Sequence, residues 1–303
     1  MTKNDITRGL IDFAVSQCLK NIKEDPYRSI RRLADLGRQF AKGRFQEELF
    51  SLFQRLLLNE DGPYYEMLKQ LVSSVDTDSL KTLGINIGYN SWTCGASRLR
   101  QITAEKDYPH WLAEISLSPE SSASQLKEQL SAALENGTYA FRLHLPAQSI
   151  TTDTRQLGLI REFPDCSFFL DFMDTDCTYS DDLLELTCSC DNLAFLVPFG
   201  SLQSRQLVDL LNARQRIYGV CRTYDNTNAA ERISDSQISE MLSWGSPLLF
   251  FLAAADTTQD NRLLVDNAIL DARLHQTYPA LLIHLDADVA RIQQLLLSSR
   301  KNL

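Results

Sequence analysis

Apolar residues recur at helical spacing through the first 75 residues of the chain. The first stripe comprises Ile6, Leu10, Phe13, Ala14, Val15 and Cys18. A second helix is predicted to open at Asp25-Pro26, since proline suits the first helical turn. A third ends at Asp61-Gly62-Pro63, and a fourth covers Tyr65–Val75. These stripes predict a packed helical bundle, followed over residues 76–110 by a half-buried transition rich in glycine and asparagine.

From Trp111 onward, short apolar runs alternate with amphipathic segments. The predicted strands are Trp111–Leu117, Tyr139–Leu145, Ser167–Met173, Leu193–Phe199, Ile217–Tyr224, Leu248–Ala254 and Leu281–Leu285. The predicted helices are Ser124–Glu135, Thr154–Phe163, Ser180–Cys188, Ser204–Arg214, Ser234–Ser243, Asn261–Tyr278 and Asp288–Ser299. Strands that alternate with helices in this way are typical of a parallel α/β sheet.

The predicted fold class is therefore α/β, with a helical N-terminal region and linker (residues 1–105) before a parallel βα-repeat barrel (residues 106–303). A partial, TIM-like barrel fits this pattern, and so does a doubly wound sheet. In either architecture the ligand site lies at the carboxyl ends of the strands.

Charge and hydropathy exclude two classes of partner. The net charge is −9 and the pI about 5.0, which argues against binding nucleic acid, because that usually requires a basic face. The longest apolar run, Pro247–Ala255, is shorter than the roughly 18 residues that span a bilayer. Met1–Gly9 is polar and shows no signal peptide, so a cytoplasmic protein without membrane contact is predicted.

The seven cysteines indicate reduced thiols rather than disulfides. Their number is odd and they are widely scattered, with one C-x-C pair at Cys188 and Cys190. A zinc site or an iron–sulfur cluster normally needs more ligands at a defined spacing. No metal and no other cofactor is predicted.

The order of segments resembles the radical-SAM superfamily. The resemblance is carried by Tyr108–Leu112, Asp165–Phe172, Asn192–Gly200 and Ile217–Tyr224, which are similar in order to successive barrel strands of that family. The family holds a [4Fe–4S] cluster through C-x-x-x-C-x-x-C after its first strand, but residues 116–123 contain no cysteine. The resemblance therefore implies a radical-SAM-like barrel without SAM cleavage, and it transfers no catalytic residue.

Charged side chains within the predicted strands and at their ends are the candidate ligand-binding residues. Alternate residues of a strand share one face, and such strands otherwise read as continuously apolar runs. Internal salt bridges, such as Arg142 or Arg222 with Asp171 or Glu114, explain these charges, and so does a polar pocket for a small or peptidic ligand. The candidates are Glu114, Arg142, His144, Asp171, Arg222, His284 and Asp286.

Two function classes follow from these observations. The first is a non-catalytic, radical-SAM-like protein that binds a protein or peptide partner, with an active radical-SAM maturase as one candidate partner. The alternative is a metal-assisted hydrolase, or another barrel enzyme, which uses His144, His284, Asp171 and Asp286 at the strand ends to hold a divalent metal and activate water. The chain contains no H-x-H or H-E-x-x-H spacing, and the sequence does not decide whether the protein is an enzyme.

Overall fold

A helical N-terminal layer precedes the βα repeats, as the apolar stripes predict. The computed structural model describes residues 3–20, 22, 24–41, 44–102, 109–117, 122–145, 154–172 and 181–298. The predicted domain boundary at residues 105 and 106 lies outside these ranges. The layer consists of α1 (Lys3–Leu19), α2 (Pro26–Phe40), α3 (Arg44–Leu56), α4 (Pro63–Ser74), α5 (Thr77–Ile85), a π-helix (Asn86–Gly95) and α6 (Ala96–Ile102).

Seven parallel strands in sequential order form a curled half-barrel, which confirms the predicted fold class. The strands are β1 (Leu112–Ser116), β2 (Ala140–Leu145), β3 (Ser167–Phe172), β4 (Leu193–Pro198), β5 (Tyr218–Tyr224), β6 (Leu248–Ala253) and β7 (Leu281–His284). The intervening helices are α7 (Ala123–Glu135), α8 (Thr154–Gly158, continued by a 3₁₀ turn at Leu159–Glu162), α9 (Asp181–Cys188), α10 (Leu202–Ala213), α11 (Ala229–Arg232), α12 (Asp235–Leu242) and α13 (Gln259–His275). Helix α14 (Leu285–Ser298) follows β7 directly.

The main core lies between the convex face of the sheet and the helices that follow each strand. Side chains such as Phe141, Phe168 and Phe195 are fully buried there, and the Phe141 and Phe168 rings stack with centroids 5.5 Å apart. Successive residues of a strand point to opposite faces of the sheet. The neighbours of each of these phenylalanines along its own strand therefore line the concave face. No helix in the described part of the chain is long and apolar enough to cross a bilayer.

The N-terminal layer packs against the amino ends of the strands. Its side chains and backbone bond to the loops that lead into β2, β3, β5 and β6. Arg98 Nε donates to Glu135 O at 3.2 Å, Asp76 N to Gln215 O at 2.8 Å, and Gln70 Nε2 to Gly245 O at 3.0 Å. This contact covers one end of the half-barrel and leaves the carboxyl ends of the strands for a site.

Two glycines allow the π-helix to approach the loop before β2. A Cβ on Gly95 would lie 2.3 Å from Gly137 O, and Gly137 itself has φ +97°. A side chain at Gly95 would therefore force the two backbones apart, and Gly137 adopts a conformation that favours glycine.

Most of the described part of the segment predicted as a half-buried transition is helical. Residues 77–102 form α5, the π-helix and α6 without a break. Two of its asparagines, Asn86 and Asn90, are buried and bond to the segment before β3. Asn86 Nδ2 donates to Pro164 O and Cys166 O at 2.9 Å each, and Asn90 Nδ2 donates to Asp165 O at 2.9 Å. These bonds satisfy carbonyl groups just before β3.

Helix α14 crosses the concave face. Leu285 packs with Leu196, Cys221 and Phe250 at the β7 side. Towards the other edge, Trp111 Nε1 donates to Val289 O at 3.0 Å, so α14 reaches the chain just before β1. The helix therefore fills part of the half-barrel that a further strand or a ligand could otherwise occupy.

Candidate functional site

Four of the predicted residues meet on the concave face of β1, β2 and β3. Glu114 lies opposite Arg142 in the β1–β2 register, and His144 lies opposite Asp171 in the β2–β3 register. His144 and Asp171 stand near the carboxyl ends of their strands, where parallel sheets place ligand sites. We call these four side chains the ionic cluster.

Arg142 is the centre of the ionic cluster. Its Nε and Nη2 donate to Asp171 Oδ2 at 2.9 and 2.6 Å, and its Nη1 donates to Glu114 Oε1 at 3.0 Å. His144 Nε2 lies 3.5 Å from Glu114 Oε2, and its Nδ1 lies 3.3 Å from Asp171 Oδ2 without the alignment of a hydrogen bond. The side chains of Arg142, His144 and Asp171 are 6%, 9% and 5% exposed, whereas that of Glu114 is 53% exposed. Glu114 is therefore the member that faces solvent.

Mutual pairing keeps the carboxylate of Glu114 charged. The contact with His144 is the main cause that lowers the pKa of Glu114 to about 2. The positive charge of Arg142 also lowers this pKa, whereas partial burial raises it. Burial disfavours a charged imidazole, but the carboxylates of Asp171 and Glu114 outweigh it, so the pKa of His144 is raised above its usual 6.5. The two carboxylates raise the pKa of Arg142 despite its burial.

The raised pKa of His144 predicts a pH-dependent contribution to folding. The folded protein holds the imidazole proton more tightly than the unfolded chain, so protonated His144 stabilises the fold fully below about pH 6.5. This contribution is lost as the pH rises through the folded-state pKa. In urea unfolding from acidic to mildly alkaline pH, the stability difference between the parent and His144→Gln should shrink as the pH rises.

Ser116→Ala is the control for this titration, because Ser116 lies on the same face beside His144 in the register and carries no ionisable group. Its effect on stability should not depend on pH. A stability difference between the parent and His144→Gln that grows with pH would contradict the raised pKa of His144.

The floor of the ionic cluster is apolar. Phe169 and Leu196 pack on the concave face beside the charged residues, together with Cys221. Burial raises the pKa of the Cys221 thiol well above its usual value, with Asp171 adding to the effect. Cys221 is therefore a core thiol rather than a nucleophile, since the thiolate is the reactive form.

Arg222 does not line the concave face, and its place in the predicted set is a correction. It pairs with Phe251 in the register, and Phe251 belongs to the core under the outer helices. The Arg222 guanidinium carbon lies 4.8 Å from the centroid of the Phe199 ring, a cation–π contact. In β5 the concave positions are Gly219, Cys221 and Thr223, so Arg222 falls on the opposite face.

His284 and Asp286 also lie away from the ionic cluster. His284 pairs with Phe251 in the β6–β7 register. Because Phe251 faces the core on the convex side, His284 lies on that side too. Its Nε2 is 2.7 Å from Tyr224 Oη, and its Nδ1 is 3.5 Å from Asp266 Oδ1. Asp286 is in the first turn of α14, where its Oδ2 lies 3.4 Å from Arg262 Nη1. Sequence reasoning missed the network around His284, because Tyr224 and Asp266 lie in different elements.

The network around His284 continues through paired arginines and carboxylates of α13 and α14. Arg291 Nη2 donates to Asp266 Oδ2 at 2.8 Å, and Arg291 Nη1 donates to Asp288 Oδ1 at 2.6 Å. Asp288 also accepts bonds from Arg273 and from the backbone N of His284. His284 and Tyr224 are almost fully buried, so this network joins α13 and α14 to the sheet.

The described residues show no group of three or more His, Cys, Asp or Glu side chains that could hold a metal ion. In the ionic cluster the Arg142 guanidinium bonds both carboxylates, and it occupies the position between them that a divalent cation would need. The loops after β1, β2 and β3, including the stretch compared with the cluster-binding loop, lie largely outside the described residues.

Comparisons with known proteins give no family for this chain. No family model matches it, and no curated protein matches it. The solved structures similar to it include a crystal structure of an enolase-superfamily member from Listeria innocua, at 16% identity and a TM-score of 0.38. That similarity covers 94% of this chain and 67% of the other.

The predicted radical-SAM relationship is wrong. No family model matches the chain, and a half-barrel of parallel strands does not tie it to radical-SAM proteins. The order of weakly similar segments reflected the alternation of strands and helices, which unrelated βα-repeat folds share.

Proposed function

We propose that this protein is a non-catalytic binding protein that takes a basic segment of a protein or peptide partner on the concave face of β1–β3. The observation that carries the proposal is Glu114, the half-exposed carboxylate of an otherwise buried cluster. Its pKa of about 2 keeps it negatively charged under all physiological conditions. A lysine or arginine side chain is the ligand group that a fixed exposed carboxylate attracts.

The charge of the whole chain supports a basic partner. The net charge of −9 favours encounter with positively charged molecules and disfavours acidic ones. At the site itself, Arg142 is only 6% exposed and points its donors at Glu114 and Asp171. An anionic ligand would therefore meet the carboxylate of Glu114 before it met the guanidinium.

Binding without catalysis fits the internal pairing of the cluster. Arg142 contacts both carboxylates, and His144 lies within 3.5 Å of each. General acid–base catalysis needs a group free to exchange a proton with a substrate. The metal-assisted alternative is less favoured, because the guanidinium of Arg142 already bridges Glu114 and Asp171.

Fluorescence anisotropy with labelled peptides tests the proposal. The probes are two peptides of equal length, one carrying alternating lysine and arginine and one carrying alternating glutamate and aspartate. We expect the basic peptide to bind and the acidic one not to bind. Glu114→Gln should weaken binding of the basic peptide about tenfold, or about 1.4 kcal/mol.

Glu128→Gln is the matched control, since Glu128 is an exposed carboxylate on α7, outside the ionic cluster. It removes the same charge from the protein and should leave the affinity close to that of the parent. Equal losses in the two variants would show a general charge effect and overturn the assigned site. Failure of the parent to bind the basic peptide would overturn the proposed function.

A further inference from the structure

The N-terminal layer contains an open cavity of about 340 Å³ between α1–α5 and the π-helix. Native interiors seldom contain voids much larger than a water molecule, whereas small-molecule sites begin at about 300 Å³ and are lined mainly by apolar groups. The apolar wall includes Val15, Ile30, Phe50, Leu57, Val72 and Leu80. The cavity lies in the N-terminal layer, whereas the ionic cluster lies on β1–β3.

The polar groups on the cavity wall already have protein partners. Lys81 Nζ lies 3.5 Å from Asp12 Oδ1 and 3.8 Å from Asp78 Oδ1. Gln46 Nε2 donates to Trp92 O, and Thr93 Oγ1 donates to Gly88 O at 3.1 Å. A ligand with an anionic head would approach Lys81 beside two carboxylates. The charge pattern therefore favours an uncharged occupant.

Two glycines keep one side of the cavity open. Gly84 on α5 and Gly88 on the π-helix are four residues apart, about one helical turn, and both line the cavity. A Cβ built on either would meet no atom within 4 Å, whereas a Cβ on Gly37 would lie 2.1 Å from the Phe50 ring. Gly84 is exposed, so the cavity reaches the surface beside it.

The π-helix, which begins directly after Ile85, forms part of this wall through Gly88, Tyr89 and Thr93. π-Helical segments are rare, and they occur frequently at functional sites. A cavity lined mainly by apolar side chains favours apolar molecules.

We propose that the N-terminal layer binds one neutral, apolar small molecule, a hydrocarbon chain without a charged head group, in the cavity beside Gly84 and Gly88. This site is separate from the proposed peptide site, and each can fail without the other.

Displacement of the neutral fluorescent dye N-phenylnaphthylamine tests the proposal. The full chain should take up the dye saturably, and dodecanol should displace it. Dodecanoate should compete at least about tenfold less well, because Asp12 and Asp78 flank Lys81. Gly88→Leu should fill the cavity and reduce dye affinity at least about tenfold while the circular dichroism spectrum is unchanged.

Gly9→Leu is the matched control, because Gly9 is an exposed helical glycine with nothing within 4 Å of an added Cβ, and it does not line the cavity. It should leave dye uptake unchanged. If Gly88→Leu does not fold, Gly84→Leu replaces it, and a saturable rise in the Tm of the parent with dodecanol gives an independent reading.

Any one of the following results would overturn the proposal. The parent could fail to take up the dye or to gain stability from dodecanol. Dye uptake could be the same in Gly88→Leu, which would place the dye on the surface. Equal competition by dodecanoate, or dimerisation of the parent that excludes the dye, would show a different occupant.

Discussion

Replacing Arg142 by methionine is expected to lower the free energy of unfolding by about 3–5 kcal/mol at pH 7. Arg142 bonds Asp171 through two nitrogens, and both side chains are about 95% buried. Without the guanidinium, the carboxylate of Asp171 stays in a low-dielectric environment, and His144 is its remaining ion-pair partner among the described residues. Urea unfolding followed by circular dichroism measures the loss.

Two further variants show whether the loss of stability in Arg142→Met comes from an uncompensated buried charge or from the loss of any ion pair. Arg205→Met removes an exposed partner of Asp209 at 3.5 Å, and it should change stability by less than about 1 kcal/mol. Adding Asp171→Leu to Arg142→Met should recover most of the loss, since an apolar pair leaves no uncompensated charge. If Arg142→Met changed stability no more than Arg205→Met, the ionic cluster would not be a buried network.

Replacing Asn86 by aspartate is expected to destabilise the protein by about 3 kcal/mol or more at pH 7. Asn86 is 1% exposed, and its Nδ2 donates to both Pro164 O and Cys166 O. A carboxylate of the same shape would place negative charge against two carbonyl oxygens. This change tests the contact that seats the N-terminal layer on the half-barrel.

The effect of Asn86→Asp should depend on pH. Burial raises the pKa of a carboxyl group, so acidification should protonate the new side chain and recover part of the stability relative to the parent. Asn267→Asp makes the same chemical change at an exposed position of α13 and should have little effect. A small, pH-independent effect of Asn86→Asp would show that the Asn86 contacts do not hold the two parts together.

The strands could be predicted from local pattern alone. The predicted strand Tyr139–Leu145 corresponds to Ala140–Leu145, and Leu193–Phe199 corresponds to Leu193–Pro198. Leu193–Phe199 is continuously apolar because its strand is covered on both faces, whereas Tyr139–Leu145 is apolar except at Arg142 and His144. The alternation with helices then indicates a parallel sheet, since parallel neighbours need a crossover.

The candidate site could be predicted only in part. Glu114, Arg142, His144 and Asp171 were expected to share one face, and they do. Arg222 and His284 were assigned to that face wrongly. A strand that is apolar on both sides carries no sign of which alternate set points inward, so the phase of each strand depends on its register with its neighbours.

The sequence by itself determined the helical N-terminal layer, the seven strands and the concentration of charged residues in β1–β3, because helical periodicity, apolar runs and residue identity are local properties. Only the tertiary structure decided which charges meet, how Asn86 and Asn90 join the two layers, and where the cavity beside Gly84 and Gly88 lies. The physical reason is that contacts such as Asn86 with Cys166 join residues 80 positions apart. Such contacts depend on the packing of whole elements, which no local pattern encodes.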